Sequence, residues 1–281
     1  FYNKIITNLS AAERIFDILD TPPEIGDQEA AYPLPEVKGE VQFSHVSFAY
    51  TDEPDRMVLE DVSFRVNPGE TIALVGPTGA GKTTIVNLIS RFYDITSGEI
   101  RIDGHEIRQV TLDSLRRQMG IMTQDTFLFT GTVRENICYG RPDASEEEMV
   151  EAAKAVNAHD FIMKLENGYD TQVSERGGQL SIGQRQLLAF ARTMVSDPKV
   201  LILDEATSSI DTHTEIMVQK GIQKLLENRT SFVIAHRLST IRGADRIFYI
   251  DKKGIQESGS HQELMEKKGA YYRLYQKQYE Q

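Results

Sequence analysis

The sequence predicts an α/β fold built on a parallel sheet, with a small antiparallel sheet beside it and a helical insert. Three observations predict it. The apolar run Thr71 to Val75 passes into GPTGAGKT, Gly76 to Thr83, and then into helical apolar spacing at Ile85, Leu88, Ile89 and Phe92. A second apolar run, Leu201 to Leu203, ends in the acidic pair Asp204 and Glu205, which would emerge at the carboxyl end of a buried strand. Upstream, Val62, Phe64 and Val66 alternate before the turn Asn67-Pro68-Gly69, the period of a half-buried antiparallel strand.

Taken in order, Ile5, Leu9, Ala12, Ile15, Phe16 and Leu19 fall at helical spacing. Four of the nine prolines, Pro22, Pro23, Pro33 and Pro35, then make residues 21–38 an extended linker. Val41 and Phe43 alternate in one phase and Val46, Phe48 and Tyr50 in another, which predicts strands interrupted by a bulge or turn. Between Gln124 and Leu180 the pattern turns helical. Ser145 with Glu148 is a capping box opening a stripe of Met149, Val150, Ala153 and Val156. Ser181 should cap a helix from Ile182 to Met194. After His261, the residues Tyr271, Tyr272, Leu274 and Tyr275 predict a packed terminal helix.

The stretch from Gly76 to Thr83 fits the phosphate-binding pattern G-x-x-x-x-G-K-[ST] in its required strand–loop–helix setting. Gly79 and Gly81 let the backbone curl round oxygens, amides at the helix start face the phosphates, Lys82 adds mobile charge, and Thr83 offers a hydroxyl to Mg²⁺. Asp204 and Glu205 bring carboxylates to the place where metal and water are needed.

Bulk properties narrow the class. At 281 residues and 40% hydrophobic, the chain can bury a substantial core as one large domain or two lobes. A net charge of −11 argues against nucleic-acid binding, since a phosphate backbone would be repelled without a separate basic face. No run approaches the length of a membrane span. The single Cys138 cannot form an internal disulfide, which suits a reducing compartment.

Together these motifs resemble the ATP-binding cassette family, specifically the nucleotide-binding domain of an exporter-type ABC transporter. Gln124 matches the family's Q-loop, and QDTFLFTGTVRENI resembles the exporter form of it. Glu175-Arg176-Gly177 resembles the segment before the exporter signature, Asp211 sits at the D-loop aspartate although SSID replaces SALD, and His236 follows the strand-like Phe232 to Ala235. The resemblance implies a P-loop NTPase, RecA-like core with the parallel sheet, an antiparallel β subdomain and an inserted α-helical subdomain. It implies boundaries as well: residues 1–38 as a membrane-domain exit helix plus linker, and 39–281 as the cassette. Within it, 39–124 and 190–281 form the core and 125–189 the helical subdomain.

For ATP and Mg²⁺ the resemblance implies contacts from Tyr50, stacking on adenine, and from Gly76, Thr78, Gly79, Ala80, Gly81, Lys82, Thr83 and Thr84. Thr83, Gln124 and Asp204 are the implied metal ligands. Glu205 would polarise the attacking water, with Gln124, Lys82 and His236 completing the catalytic set. Ser181, Gly183 and Gln184 would serve the partner's nucleotide across a dimer, because the signature faces outward, and Asp211, at the D-loop position, is a further implied nucleotide contact. The expected partners are a second cassette and a transmembrane domain upstream of Phe1, at the cytoplasmic face of the cell membrane, with no nucleic acid. One position departs: the signature reads LSIGQ, not LSGGQ, with Ile182 for the first glycine. A β-branched side chain adds bulk where glycine allows close approach to phosphate. That predicts an asymmetric heterodimer in which this chain's own site is catalytic and the site built on its signature is degenerate. The alternatives are a homodimer with two equivalent sites, a non-transport cassette ATPase, and a nucleotide-gated dimerisation module without turnover.

Overall fold

The computed structural model describes residues 2–124, 126–174, 177–205, 212–235 and 237–279. Its central sheet has the strand order Gly254–Gly259, Arg246–Asp251, Thr71–Val75, Thr230–Ile234, Val200–Asp204 and Met119–Met122. The last five are mutually parallel, and Gly254–Gly259 folds back antiparallel as a hairpin.

Thr71–Val75 and Thr230–Ile234 are buried at every residue, because both faces of the sheet are covered. Side chains alternate between those faces. Ile72, Leu74, Ile202, Phe232 and Ile234 join one core cluster with Ile85, Leu88 and Ile89 of the helix Lys82–Ile89 and with the antiparallel sheet. Ala73, Val75, Leu201, Leu203 and Val233 join another, with Leu187, Leu188 and Phe190 of the helix Ile182–Ser196.

The antiparallel sheet has the order Met57–Val66, Val41–Ala49, Ser97–Ile102 and His105–Glu106. The two hydrophobic phases belong to the one strand Val41–Ala49, with Tyr50 just past its end. Its register shifts between Phe43 and Val46, where His45 takes φ 51° and forms a bulge.

The helical part comprises Val133–Cys138, Glu146–Ala155 and, packed on both, Ile182–Ser196. Ser145 and Ser181 each close a capping box, with Glu148 and Gln184 respectively. The terminal helix Ala270–Tyr279 buries Tyr271 and Tyr275, and the Glu257 carboxylate accepts from the backbone N–H groups of Ala270 and Tyr271 at its start.

One expected element is shorter. The helix after the glycine loop ends at Ile89, and Phe92 lies beyond it, 42% exposed beneath the Arg116 guanidinium. Arg91 turns into the left-handed region at φ 49°, which ends the helix and sends its own side chain inward instead.

Arg91 also explains how the proline-rich segment is held. Between Leu19 and Val41 the chain forms no helix or strand, only an isolated bridge from Tyr32 to Val110, and it lies on the body as a strap. The buried Arg91 guanidinium donates to Gly26 O at 3.1 Å and to Ile107 O and Val110 O at 3.4 Å, and pairs with Asp94 at 2.9 Å. Gln118 adds bonds to Leu34, Val37 and Pro35. Arg91→Met should lower unfolding stability in urea by about 2–4 kcal/mol, since it strands buried acceptors. Arg91→Lys should recover only part of this, because an ammonium cannot span the fork of partners.

Candidate active site

Parallel register decides where the site lies. Ile234 pairs with both Asp204 and Leu74, and Met122 with Leu203, so these strands end along one edge and release their loops together. A cleft of about 710 Å³ opens there. Tyr50, Thr78, Gly79, Ala80, Gly81, Lys82, Thr83, Thr84, Gln124 and Asp204 all line it, so residues up to 154 positions apart in the chain face one space.

The glycine loop starts against the neighbouring strand. A Cβ on Gly76, at φ 146°, would lie 2.1 Å from Ile250 O, so only glycine fits. Gly81 is the N-cap of Lys82–Ile89 with φ 103° and no side-chain cap, which leaves the first amides of the helix without an intrahelical or capping partner from that residue. The Lys82 ammonium donates to Gly76 O and Pro77 O, both at 2.8 Å, and so is drawn across the loop. Burial lowers its pKa from the usual lysine value, and the nearby Asp204 carboxylate works against that shift. Tyr50 stands half-buried with its hydroxyl 3.1 Å from Thr84 Oγ1, edge-on to Phe48 and Tyr93.

The acidic pair divides. Asp204 continues the phase of Ile202 towards the glycine-loop helix and borders the cleft. Glu205 continues the phase of Leu203 and borders an adjoining cavity of about 20 Å³ with Gln186, Phe190 and Arg237, a cavity that Asp204 also lines. Only 3% exposed, its carboxylate accepts from the Thr240 hydroxyl at Oε1 and from the Arg237 backbone N–H at Oε2, the latter at 3.1 Å. Asp204 thus stands between the cleft and the small cavity, whereas Glu205 borders the cavity and not the cleft.

The signature is not part of the cleft. Ser181 and Ile182 are exposed at the start of their helix, Gly183 is buried, and the Gln184 side chain folds back so that Oε1 accepts from Ser181 N at 2.9 Å. His236 and Asp211, like Glu175 and Arg176, lie outside the described residues.

Sequence reading missed several lining groups. Glu53 and Arg56 come from the loop entering Met57–Val66 and Met57 from its first position, while Asp251 ends Arg246–Asp251 and Lys252 and Lys253 form the hairpin turn after it. The DKKG turn was a visible signal for that hairpin. Nothing local marks Thr240.

The oxygens of Thr83, Gln124 and Asp204 border one cleft with a single carboxylate among them, a set that suits Mg²⁺, which takes oxygen ligands and keeps places for water and phosphate. Among the described residues no cluster of three His, Cys, Asp or Glu offers a harder-bound metal an all-protein cage. Nor is any described helix long and apolar enough to cross a membrane.

Comparison with known proteins decides the family. A family model described as "ABC transporter" matches residues 59–208, more than half of the chain. The chain belongs to the ABC transporter family.

Its relatives place the cassette among exporters. It is 50% identical over 279 residues to the ATP-dependent lipid A-core flippase of Syntrophus aciditrophicus, covering 99% of this chain and 46% of that protein. It is 50% identical over 273 residues to the fatty acid ABC transporter ATP-binding/permease protein of Mycobacterium bovis, covering 97% and 43%. The solved structure of a bacterial Atm1-family ABC exporter with ATP bound superposes with a TM-score of 0.88 at 42% identity, covering 99% of this cassette and 48% of that chain. The chain therefore spans about half the length of these relatives. It is an exporter-type nucleotide-binding cassette of the ABC family, whose members bind and hydrolyse ATP.

If Lys82 supplies charge to ATP, Lys82→Ala should weaken ATP binding by roughly a hundredfold in calorimetric titration, the loss of a charge-assisted contact worth about 2–3 kcal/mol, while leaving the melting temperature nearly unchanged.

Proposed function

We propose that this cassette is the motor of an ABC exporter: it closes with a second cassette around ATP and uses hydrolysis to reopen, driving export through a transmembrane domain joined to its N-terminal helix. The observation that carries this is the separation within one molecule of the cleft holding Lys82, Gln124 and Asp204 from the exposed signature at Ser181 and Ile182. One chain's cleft and another chain's signature make a complete site.

In this reading residues 39–281 are the cassette, with 125–189 as the helical subdomain and 1–38 joining it to the membrane part at the cytoplasmic face. Tyr50 stacks on adenine, and the loop from Gly76 to Thr84 holds the phosphates with Lys82. Thr83, Asp204 and Gln124 would hold Mg²⁺, which neutralises charge on the phosphates. Glu205 accepts a proton from the attacking water and thereby raises its nucleophilicity. His236, which would donate toward the γ-phosphate, and Asp211, which would contact nucleotide, lie outside the described residues. Ser181, Gly183 and Gln184 contact the partner's ATP. Phosphoryl transfer needs positioning and charge stabilisation, so each part is a donor, a cation or a water-orienting acceptor.

The exposed Ile182 further supports an asymmetric pairing. Its side chain stands at the helix start where a partner's phosphate must come close, so the site built on this signature is degenerate, and a partner bearing LSGGQ completes this chain's catalytic site. Two equivalent sites in a homodimer is the competing arrangement.

Two substitutions test the reading. Glu205→Gln should leave ATP binding intact, lower turnover by at least about a hundredfold and accumulate closed dimers in size-exclusion chromatography with ATP. Unimpaired turnover would remove Glu205 from this role. Ile182→Gly in the complete transporter should raise hydrolysis at the site it faces, read by site-resolved nucleotide trapping; no change at either site would favour equivalent sites.

A further inference from the structure

We propose that Thr240 is a positioning residue for the hydrolytic glutamate: together with the Arg237 amide it holds the Glu205 carboxylate at rest in the small cavity adjoining the nucleotide cleft, out of the cleft itself. The inference rests on the hydrolytic role given to Glu205 above.

Both carboxylate oxygens are held. Thr240 Oγ1 donates to Oε1, and the Arg237 N–H donates to Oε2 at 3.1 Å. A hydroxyl facing a carboxylate can only be the donor, and bonds to an ionised acceptor are about twice as strong as neutral ones. The two donors come from one short piece of chain. Arg237 is the N-cap of the helix Leu238–Gly243, and Thr240, 8% exposed, lies in its first turn.

That helix is itself fixed. Ile241 is buried in the core, and Arg242 pairs with the hydroxyl of Tyr275, its guanidinium lying over the same ring 5.7 Å from the centroid. The holder is therefore anchored to the terminal helix, and it is the glutamate that must turn. The main chain at Glu205 is also pinned, with its N–H donating to Ile234 O at 3.2 Å.

The geometry sets the sign of the effect. Lys82 and Asp204 border the cleft, and Asp204 also lines the small cavity beside Phe190 and Gln186, whereas Glu205 borders that cavity and not the cleft. To reach a water at the γ-phosphate, the carboxylate must give up the Thr240 bond. An interaction made at rest and lost in the transition state raises the barrier, so removing it raises kcat. Because Thr240 does not border the nucleotide cleft, KM for ATP should stay put.

The test uses the complete transporter. Thr240→Val keeps the volume and removes the donor; it should raise kcat about fivefold with KM for ATP unchanged, and Thr240→Ser should retain the wild-type kcat. In a Glu205→Gln background, Thr240→Val should have no effect on the residual rate. A kcat that falls or stays level in Thr240→Val, or a serine variant that behaves like the valine one, overturns the proposal. A fast Glu205→Gln single variant instead overturns the hydrolytic role itself, so the two failures are distinct. Should the valine variant fail to fold, a crystal structure of the wild-type closed dimer trapped with vanadate decides: the Thr240–Glu205 contact is broken if the proposal holds, and its persistence overturns it.

Discussion

The site depends on the strict alternation of side chains along strands that end in register. Because Val200–Asp204 is buried on both faces, its residues cannot slip by one position without exchanging two complete core clusters. That constraint reaches past the end of the strand. Asp204 follows Ile202 towards the glycine-loop helix and borders both the cleft and the small cavity, whereas Glu205 follows Leu203 towards the helical part and borders the cavity and not the cleft. The same register brings Gln124 to the cleft, since Met119–Met122 pairs with Val200–Asp204 residue for residue. A single fixed strand thus sets the places of three polar groups.

Two helix starts in the fold are built to opposite designs. At Lys82–Ile89 the cap is a glycine without a side chain, in a left-handed conformation that turns the loop back over the helix start. At Ile182–Ser196 the cap is a serine, and its box with Gln184 already satisfies the N–H groups of Gln184 and Ser181. The first end gains nothing from its own cap and is suited to receive an anion; the second is stable by itself and presents only what its box leaves over. For Gln184 to reach a nucleotide on another chain, its side chain must leave Ser181 N, whereas the Ser181 hydroxyl can accept from Gln184 N and still offer its own proton outward.

What the sequence made legible follows from range. The glycine loop, the capping boxes at Ser145 and Ser181, and the buried runs at Thr71–Val75 and Val200–Asp204 are encoded by residues a few positions apart, so local chemistry was enough to see them. Phe92 misled because its helical spacing is genuine while Arg91, one residue earlier, has a stronger reason to turn inward: four partners drawn from residues 26, 94, 107 and 110. No local pattern shows such a demand. The resting position of Glu205 was hidden for the same reason, since its holder Thr240 is 35 positions away.

Long-range polar bonds also turn the proline-rich segment from a tether into part of the body. Proline content alone would make this segment an extended, semi-rigid spacer free of the body. Here the segment is fixed at Gly26 by Arg91, at Leu34 by Ser114, at Val37 by Gln118 and at Lys38 and Glu40 by Asp103. Gln118 directly precedes Met119–Met122, whose far end leads to Gln124, and Lys199 N donates to the Gln118 carbonyl at the start of Val200–Asp204. Gln118 therefore ties the strap at Val37 to the beginning of both strands that deliver Gln124 and Asp204 to the cleft.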